Sequence, residues 1–416
     1  MSTIVRSRFL DRTTPPHTLT LVLVAGLPAL SMNMFLPSLP NMAEFYQSEY
    51  RVAQLSVSLY LWANAVLQIF LGPLSDRFGR RIILLISFAL FGLASIGCAL
   101  STSIEMLLFF RTTQAVVATG IALSRAAVRD LYGREESASM IGYVTMGMSL
   151  APMLSPMLGG FLGQHFGWQA NFWAMLGFGV LVWVIIWLDF KETAQPSENS
   201  VIGQFREYPE LLRSRRFWGY ALAAAFSSGA FFAYVGGAPL VGAKVYGLEP
   251  AELGAYFGIP AAGYLVGNFL SGRYSIRLGI NTMIITGSLL VVSGLSISLL
   301  LIALGSTHPL AFFGLTSFIG LGNGMVLPNA NAGLLSVRPH LAGSASGLGG
   351  ALMIGGGAAL AALSGHLLEI GDGVLPLMAV MIGASVFGVF ATLYVVRIDR
   401  LEGPVDPKHP PSTPHA

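Results

Sequence analysis

Apolar stretches, all but one free of charge, recur along this chain, each about long enough to cross the oily interior of a bilayer, and they constrain its fold more than any motif does. They fall at about 19–39, 55–74, 82–100, 106–124, 138–163 and 170–188, then at about 217–242, 253–272, 280–304, 310–336, 344–366 and 374–396. A hydrocarbon core needs roughly 17–25 such residues per helix. Backbone N–H and C=O groups find no water there, so only helices and closed barrels satisfy them. The runs are uniformly apolar and lack the two-residue alternation of a lipid-facing strand, which excludes a barrel. Hydrophobic residues make up 54% of the 416-residue chain and charged ones 10%, against roughly 25% charged in a soluble domain. The expected fold is an all-α integral membrane protein with twelve transmembrane helices.

A polar stretch from Lys191 to Arg216 divides the runs into six and six. That division predicts two six-helix bundles, arranged as parallel repeats around a cavity at mid-membrane. The expected organisation is a tail at 1–18, a bundle at 19–190, a central loop at 191–216, a second bundle at 217–396, and a disordered Pro-rich tail at 397–416. With the N-terminus cytoplasmic, twenty of the 23 Lys and Arg residues fall on that side, Arg51 and Lys244 on the other, and Arg111 within a span. This asymmetry predicts a multi-pass protein of the bacterial inner membrane with both termini cytoplasmic. The polar start holds Arg6, Arg8 and Arg12, and the apolar run after it ends in Pro37 and Pro40 without a small-residue cleavage pattern. It reads as a first helix rather than a removable signal.

Several chemistries are excluded. Cys98 is the sole cysteine and lies in an apolar run, so it reads as a buried thiol, with no disulfide framework and no metal cluster. The seven histidines are scattered at span ends and tails, none beside an intramembrane acid, so an enzyme site is not expected. The Gly-rich tenth and eleventh runs lack the lysine of a phosphate loop. No cofactor and no nucleic-acid partner are expected, and the net charge of +3 gives no reason for one.

The loop after the second run reads Gly72-Pro-Leu-Ser-Asp-Arg-Phe-Gly-Arg-Arg81. Its glycines permit a tight turn at the membrane surface, and Asp76 suits a helix N-terminus or an arginine partner. A faint internal echo sets Gly72 and Arg77 beside Gly267 and Ser271-Gly-Arg273, with Gly272 in the place of Asp76. The fourth run contains Arg111-Thr-Thr-Gln114. An arginine in hydrocarbon costs roughly 2.5–3.5 kcal/mol on insertion scales unless a partner or wet cavity receives it, and Gln114 shares its helix face. The fifth run holds Gly147-Met-Ser-Leu-Ala-Pro152-Met-Leu-Ser-Pro156-Met-Leu-Gly159-Gly160. Each proline removes an intrahelical bond, and the small residues allow close helix contact.

Together these stretches resemble the loop signature, the R-x-x-Q element and the antiporter motif of the major facilitator superfamily. Phe35-Leu-Pro-Ser-Leu-Pro40, Arg125-Ala-Ala-Val-Arg-Asp-Leu-Tyr-Gly133 and Phe231-Phe-Ala-Tyr-Val-Gly-Gly-Ala-Pro239 are similar to its Bcr/CflA branch of drug:proton antiporters. The resemblance implies a twelve-span carrier, a monomer, that exports drug-like amphipathic molecules by alternating access in exchange for protons. Efflux of a native metabolite such as an amino acid, peptide or sugar is the alternative cargo, and a polytopic membrane enzyme the alternative class. It also implies a conformational latch built on Gly72, Asp76, Arg77, Gly79, Arg80 and Asp130, with Pro152, Pro156, Gly159 and Gly160 shaping the fifth span. Asn33, Tyr60, Asn64, Arg111, Gln114, Tyr234 and Asn323 are the expected cargo-binding residues. Tyr143, with Phe226, Phe231 and Phe232, extends the expected cavity wall. One departure stands out: Asn33 occupies the place where the branch commonly carries an acid, and an amide cannot exchange a proton. Glu105 and Asp130, both near span ends, are the nearest candidates for proton coupling.

Overall fold

A computed structural model describes residues 7–131, 140–141, 143–144, 147–148, 150–194, 208–338, 341–371 and 373–402, with backbone alone at 71–73, 76, 129, 342 and 343. The described residues are helical throughout their ordered elements, and ten helices are long and apolar enough to cross a membrane. The first run is broken. Helix α1 (Thr18–Asn33) gives way to a 3₁₀ turn at Leu36–Ser38 and a short α2 (Leu39–Phe45), because Pro37 and Pro40 each sit at the start of a new element, where their missing N–H costs nothing. Helices α3 (Tyr50–Phe78) and α4 (Arg80–Ala99) follow. The fourth run is α5 (Ile104–Gln114), a 3₁₀ stretch at Ala115–Ala118, and α6 (Thr119–Leu131). Then come α7 (Ala151–Phe166), α8 (Gln169–Asp189) and a short α9 (Tyr208–Leu212) in the central loop. The second half comprises α10 (Arg215–Lys244), α11 (Pro250–Leu278), α12 (Ile280–Ala303), α13 (Ser317–Val337), α14 (Ala342–Ile370) and α15 (Leu375–Glu402).

Two expected spans are absent from the ten. Much of 138–163 lies outside the described residues, leaving the 16 residues of α7. The span at 310–336 is the 21-residue α13, whose Asn323, Asn329 and Asn331 dilute its hydropathy. Helix α15 runs to Glu402, past the expected boundary at 396. In the central loop, Glu198, Arg206 and Glu207 lie outside the described residues, as does the tail from 403.

The internal repeat is sharper than the sequence echo suggested, and in a different register. Helices α3 and α11 are each 29 residues long and begin after Glu49 and Glu249. Each follows a turn with positive φ at its second residue, 51° at Gln47 and 65° at Gly247. Each ends at a glycine with positive φ, 92° at Gly79 and 82° at Gly279. Matching residues are therefore two hundred apart. Gly72 pairs with Gly272 and Asp76 with Ile276, so the earlier pairing of Asp76 with Gly272 was one helical turn out.

The halves of the chain meet along two seams, α3 against α14 and α7 against α11. Helix α10 adds contacts to the Leu36–Ser38 turn, α2 and α3, and α11 touches that same turn, all toward the end carrying the Glu49 and Glu249 loops. Backbones touch there. A Cβ at Gly160 would strike the carbonyl of Pro250, and one at Gly254 the carbonyl of Pro156.

Gly79 and Gly279 offer a paired test. A Cβ at Gly79 would also fall on the Glu192 carboxylate, whereas nothing lies within 4 Å of one at Gly279. Gly279→Ala is expected to cost about 1 kcal/mol for the backbone alone. Gly79→Ala adds the loss of a helix cap worth about 1 kcal/mol. Thermal unfolding of the two purified variants reads the difference, and equal losses would remove Glu192 from the account.

Candidate functional site

Arg111 is wholly buried inside the first half, and four side chains and one backbone carbonyl account for its position. Its Nη1 donates to Gln114 Oε1 at 2.7 Å and to Ser31 Oγ at 3.1 Å, and its Nη2 donates to the Ser31 carbonyl at 2.9 Å. The guanidinium lies between the rings of Phe35 and Tyr60, 4.3 Å from each centroid. Such contacts with a desolvated cation are worth about 2 kcal/mol apiece. No carboxylate pairs with it among the described residues, and its Nε finds no hydrogen-bond acceptor there. The network runs on: Gln114 Nε2 donates to Ser95 Oγ at 2.8 Å, and Ser95 donates to the Phe91 carbonyl. Tyr60 closes it by donating to the Pro28 carbonyl at 3.3 Å. The 3₁₀ stretch begins directly after Gln114. Helices α1, α3, α4 and α5 are thus tied through one cation.

The other expected cargo residues are not gathered around Arg111. Asn33 is buried and donates to the Ala29 carbonyl within its own helix at 2.7 Å. Asn64 accepts from Gln68 on α3 at 3.1 Å. In the second half, Tyr234 sits among Phe231, Phe257, Phe312 and Phe313, with ring centroids 5.0–6.5 Å away. Asn323 accepts from Ser227 at 2.6 Å, joining α13 to α10 much as Arg111 joins α5 to α1. Phe226 stacks on Phe387 of α15, 5.6 Å between centroids, and lines an apolar cleft between α3, α10 and α14, while the Tyr143 side chain is exposed.

At the opposite end of α3, the loop residues do meet. Arg80 Nε lies 3.2 Å from Asp130 Oδ2, and Arg80 Nη1 also donates to Ser75 Oγ. Thr193 Oγ1 donates to the same Asp130 oxygen at 3.2 Å. Glu192, which sequence reasoning passed over, caps α4 by accepting from the backbone N–H groups of Arg80 and Arg81 at 2.8 and 3.1 Å. Arg77 lies over the Phe78 ring instead of joining this group. Gly72 and Asp76 are described by their backbone alone. In the fifth span Pro152 falls in the first turn of the described α7 and Pro156 inside it. Gly159 packs on the Met34 carbonyl. Glu105 is exposed in the first turn of α5, away from Arg111.

Two carboxylates escaped the sequence reading because each closes an apolar run without lying inside it. Asp189, fully buried, accepts from the backbone N–H groups of Leu10 and His17 at 2.7 and 2.9 Å, anchoring the start of α1. Asp399 lies 3.2 Å from Arg216 Nε and accepts from Tyr220 and Asn281 at 2.7 Å each, joining α10, α12 and α15.

The sequence family model described as Major Facilitator Superfamily matches residues 21–362. The chain belongs to the major facilitator superfamily. Among its relatives is the "Uncharacterized MFS-type transporter YdgK" of Bacillus subtilis (strain 168), 32% identical over 378 residues, with 89% of this chain and 92% of that protein covered. A "Bicyclomycin resistance protein homolog" of Haemophilus influenzae is 27% identical over 384 residues, covering 91% of this chain and 95% of the relative. The fold is shared with a bacterial homolog of the human lysosomal transporter Spinster, crystallised in an inward-facing and occupied conformation, at a TM-score of 0.72 and 18% identity, covering 94% and 98% of the two chains. This member of the superfamily is a multi-pass membrane transporter of small molecules and not an enzyme.

Arg111→Lys keeps the charge and loses the flat fork that serves Ser31 and Gln114 together. A stability loss of about 1–3 kcal/mol is expected. Tyr60→Phe removes only the longest bond of the network and should cost less than about 1 kcal/mol. Thermal midpoints of the purified variants compare them; the reverse order would contradict this placement of the cation.

Proposed function

We propose that this transporter exports drug-like or other small amphipathic molecules across the bacterial inner membrane by alternating access, as a monomer exchanging cargo for protons. The observation that carries the reading is kinship along nearly the whole chain with a protein named for bicyclomycin resistance, joined to a buried guanidinium that no carboxylate among the described residues neutralises. Residues 19–190 and 217–396 form the two moving bundles, with the segment 191–216 and both tails cytoplasmic; the two-hundred-residue repeat supports this division. Twelve spans follow if the fifth and tenth expected runs are counted with the ten helices. Contacts of α10 and α11 with the Leu36–Ser38 turn support a state closed at the outer face.

Within this reading Asn33, Tyr60, Asn64, Arg111, Gln114, Tyr234 and Asn323 act on cargo, Arg111 by attracting anionic or strongly dipolar groups once the bundles part. The Arg80–Asp130 pair, with Gly72, Asp76, Arg77 and Gly79, acts as the cytoplasmic latch, and Pro156, Gly159 and Gly160 let the fifth span slide on its neighbours. Proton exchange falls to carboxylates at helix ends, since Asn33 cannot perform it.

The deciding experiment is expression in an efflux-deficient bacterial host, with a toxicity panel run with and without a protonophore. Raised tolerance that the protonophore abolishes is expected; unchanged tolerance to every compound would refute drug export. Arg111→Ala at normal membrane abundance should lower export by about tenfold or more, the equivalent of 1.4 kcal/mol. Asn33→Asp should strengthen the dependence of flux on an imposed pH gradient, and a flat response would count against a proton site at that position.

A further inference from the structure

The first backbone N–H groups of a helix have no partner within it. At the end of the molecule carrying the Glu49 and Glu249 loops, each long seam helix finds one across the interface. The N–H of Arg51, second residue of α3, donates to Glu369 Oε1 of α14 at 2.8 Å. The N–H of Ala251, second residue of α11, donates to Gln164 Oε1 of α7 at 3.1 Å. Arg51 and Ala251 are two hundred residues apart, so this is one contact made twice, once on each seam, with each half capping the other. The seams differ in one respect. Glu369 adds an ion pair, Arg51 Nε to Oε2 at 3.2 Å, with Glu49 on the same guanidinium at 2.5 Å.

These caps sit at the rim of the closed end. Beyond the first lies a cleft of about 760 Å³ whose polar lining includes Glu49, Arg51, Lys244 and Glu369. Beneath it, the buried Tyr50 hydroxyl donates to the Gly236 carbonyl of α10 at 2.9 Å. Beneath the second, Gly160 and Gly254 bring the α7 and α11 backbones into contact.

We infer that the reciprocal caps are the outer gate, with Glu369 and Gln164 as the positioning residues that hold this end shut. A bond between halves exists only while the end is closed, so it shifts the balance of states by its own net strength. When the end opens, both N–H groups must turn to water. The inference rests on the alternating-access reading above and not on the identity of the cargo.

The test needs no cargo. In a Cys98→Ser background, Ser58→Cys places a reporter thiol on α3 two turns inward from Arg51, at a buried position. A membrane-impermeant maleimide is applied to sealed vesicles from the side of the Glu49 loop, and the labelling rate is measured. Glu369→Ala and Gln164→Ala are each expected to raise the rate about three- to tenfold, and the double variant to exceed either. Glu369→Gln keeps an acceptor for the Arg51 N–H and should raise it less than Glu369→Ala. Gln164→Glu, a guard against misfolding, should label like the parent. Parent-like rates in both alanine variants at parent abundance would overturn the gate. A rise confined to Glu369→Ala, or equal rises for Glu369→Gln and Glu369→Ala, would leave the ion pair as the closure and overturn the reciprocal caps. A negative toxicity panel would leave these rates unchanged.

Discussion

A cation with no carboxylate partner among the described residues, held among membrane-spanning helices, is the demand around which the first half is arranged. Arg111 has left water altogether, and desolvating a guanidinium is costly unless the protein replaces its solvent. The replacement is spread over several helices. A serine hydroxyl and carbonyl come from α1 and an amide from α5, while aromatic faces come from α3 and the Phe35 stretch. Because no single helix supplies enough donors and π faces, the helices must stay in register for the charge to be tolerable. The requirement is mutual: the cation fixes the helices, and their packing makes the cation affordable. An acid paired with Arg111 would have satisfied it locally and left it indifferent to an approaching ligand.

The second half repeats the scaffold and not the chemistry. Where α1 and α5 meet through Arg111 and Ser31, α10 and α13 meet through the neutral pair Ser227 and Asn323. Its charges gather at the helix ends, around Asp399. Asp189 does the corresponding work in the first half with backbone donors alone. Among the described residues the buried charge at mid-span is therefore on one side of the pseudo-symmetric pair, while each half closes its own end with a carboxylate. Between them, the seams depend on small residues and on helix starts whose N–H groups face the other half.

Much of this was legible along the chain. Residues 82–100 and 280–304 announced α4 and α12 within a few residues because hydrocarbon tolerates only internally bonded backbone, and their side chains are apolar all round. Of the two glycines of the loop signature read as permitting a turn, Gly79 makes it with a positive φ, while Gly72 lies inside α3. Other features were not legible. Pro37 and Pro40 marked a break, yet whether the chain would stop or turn there depended on what packed against it. The repeat was misread by one turn because Gly72-Pro-Leu-Ser and Gly272-Arg-Tyr-Ser share too few side chains to fix a register, whereas two matching positive-φ glycines fix it at once.

The sequence alone determined that this chain is a polytopic helical membrane protein, which ends carry its positive charge, and that one arginine would need special treatment, because these follow from transfer energies acting residue by residue. Tertiary structure alone decided which groups answer Arg111, that Phe226 stacks on Phe387 of α15, and that Glu369 and Gln164 cap helices of the opposite half. Those outcomes depend on distances between segments 80 to 318 residues apart, where a carboxylate or amide at a span end has many partners within reach of its type and only one within reach of its atoms.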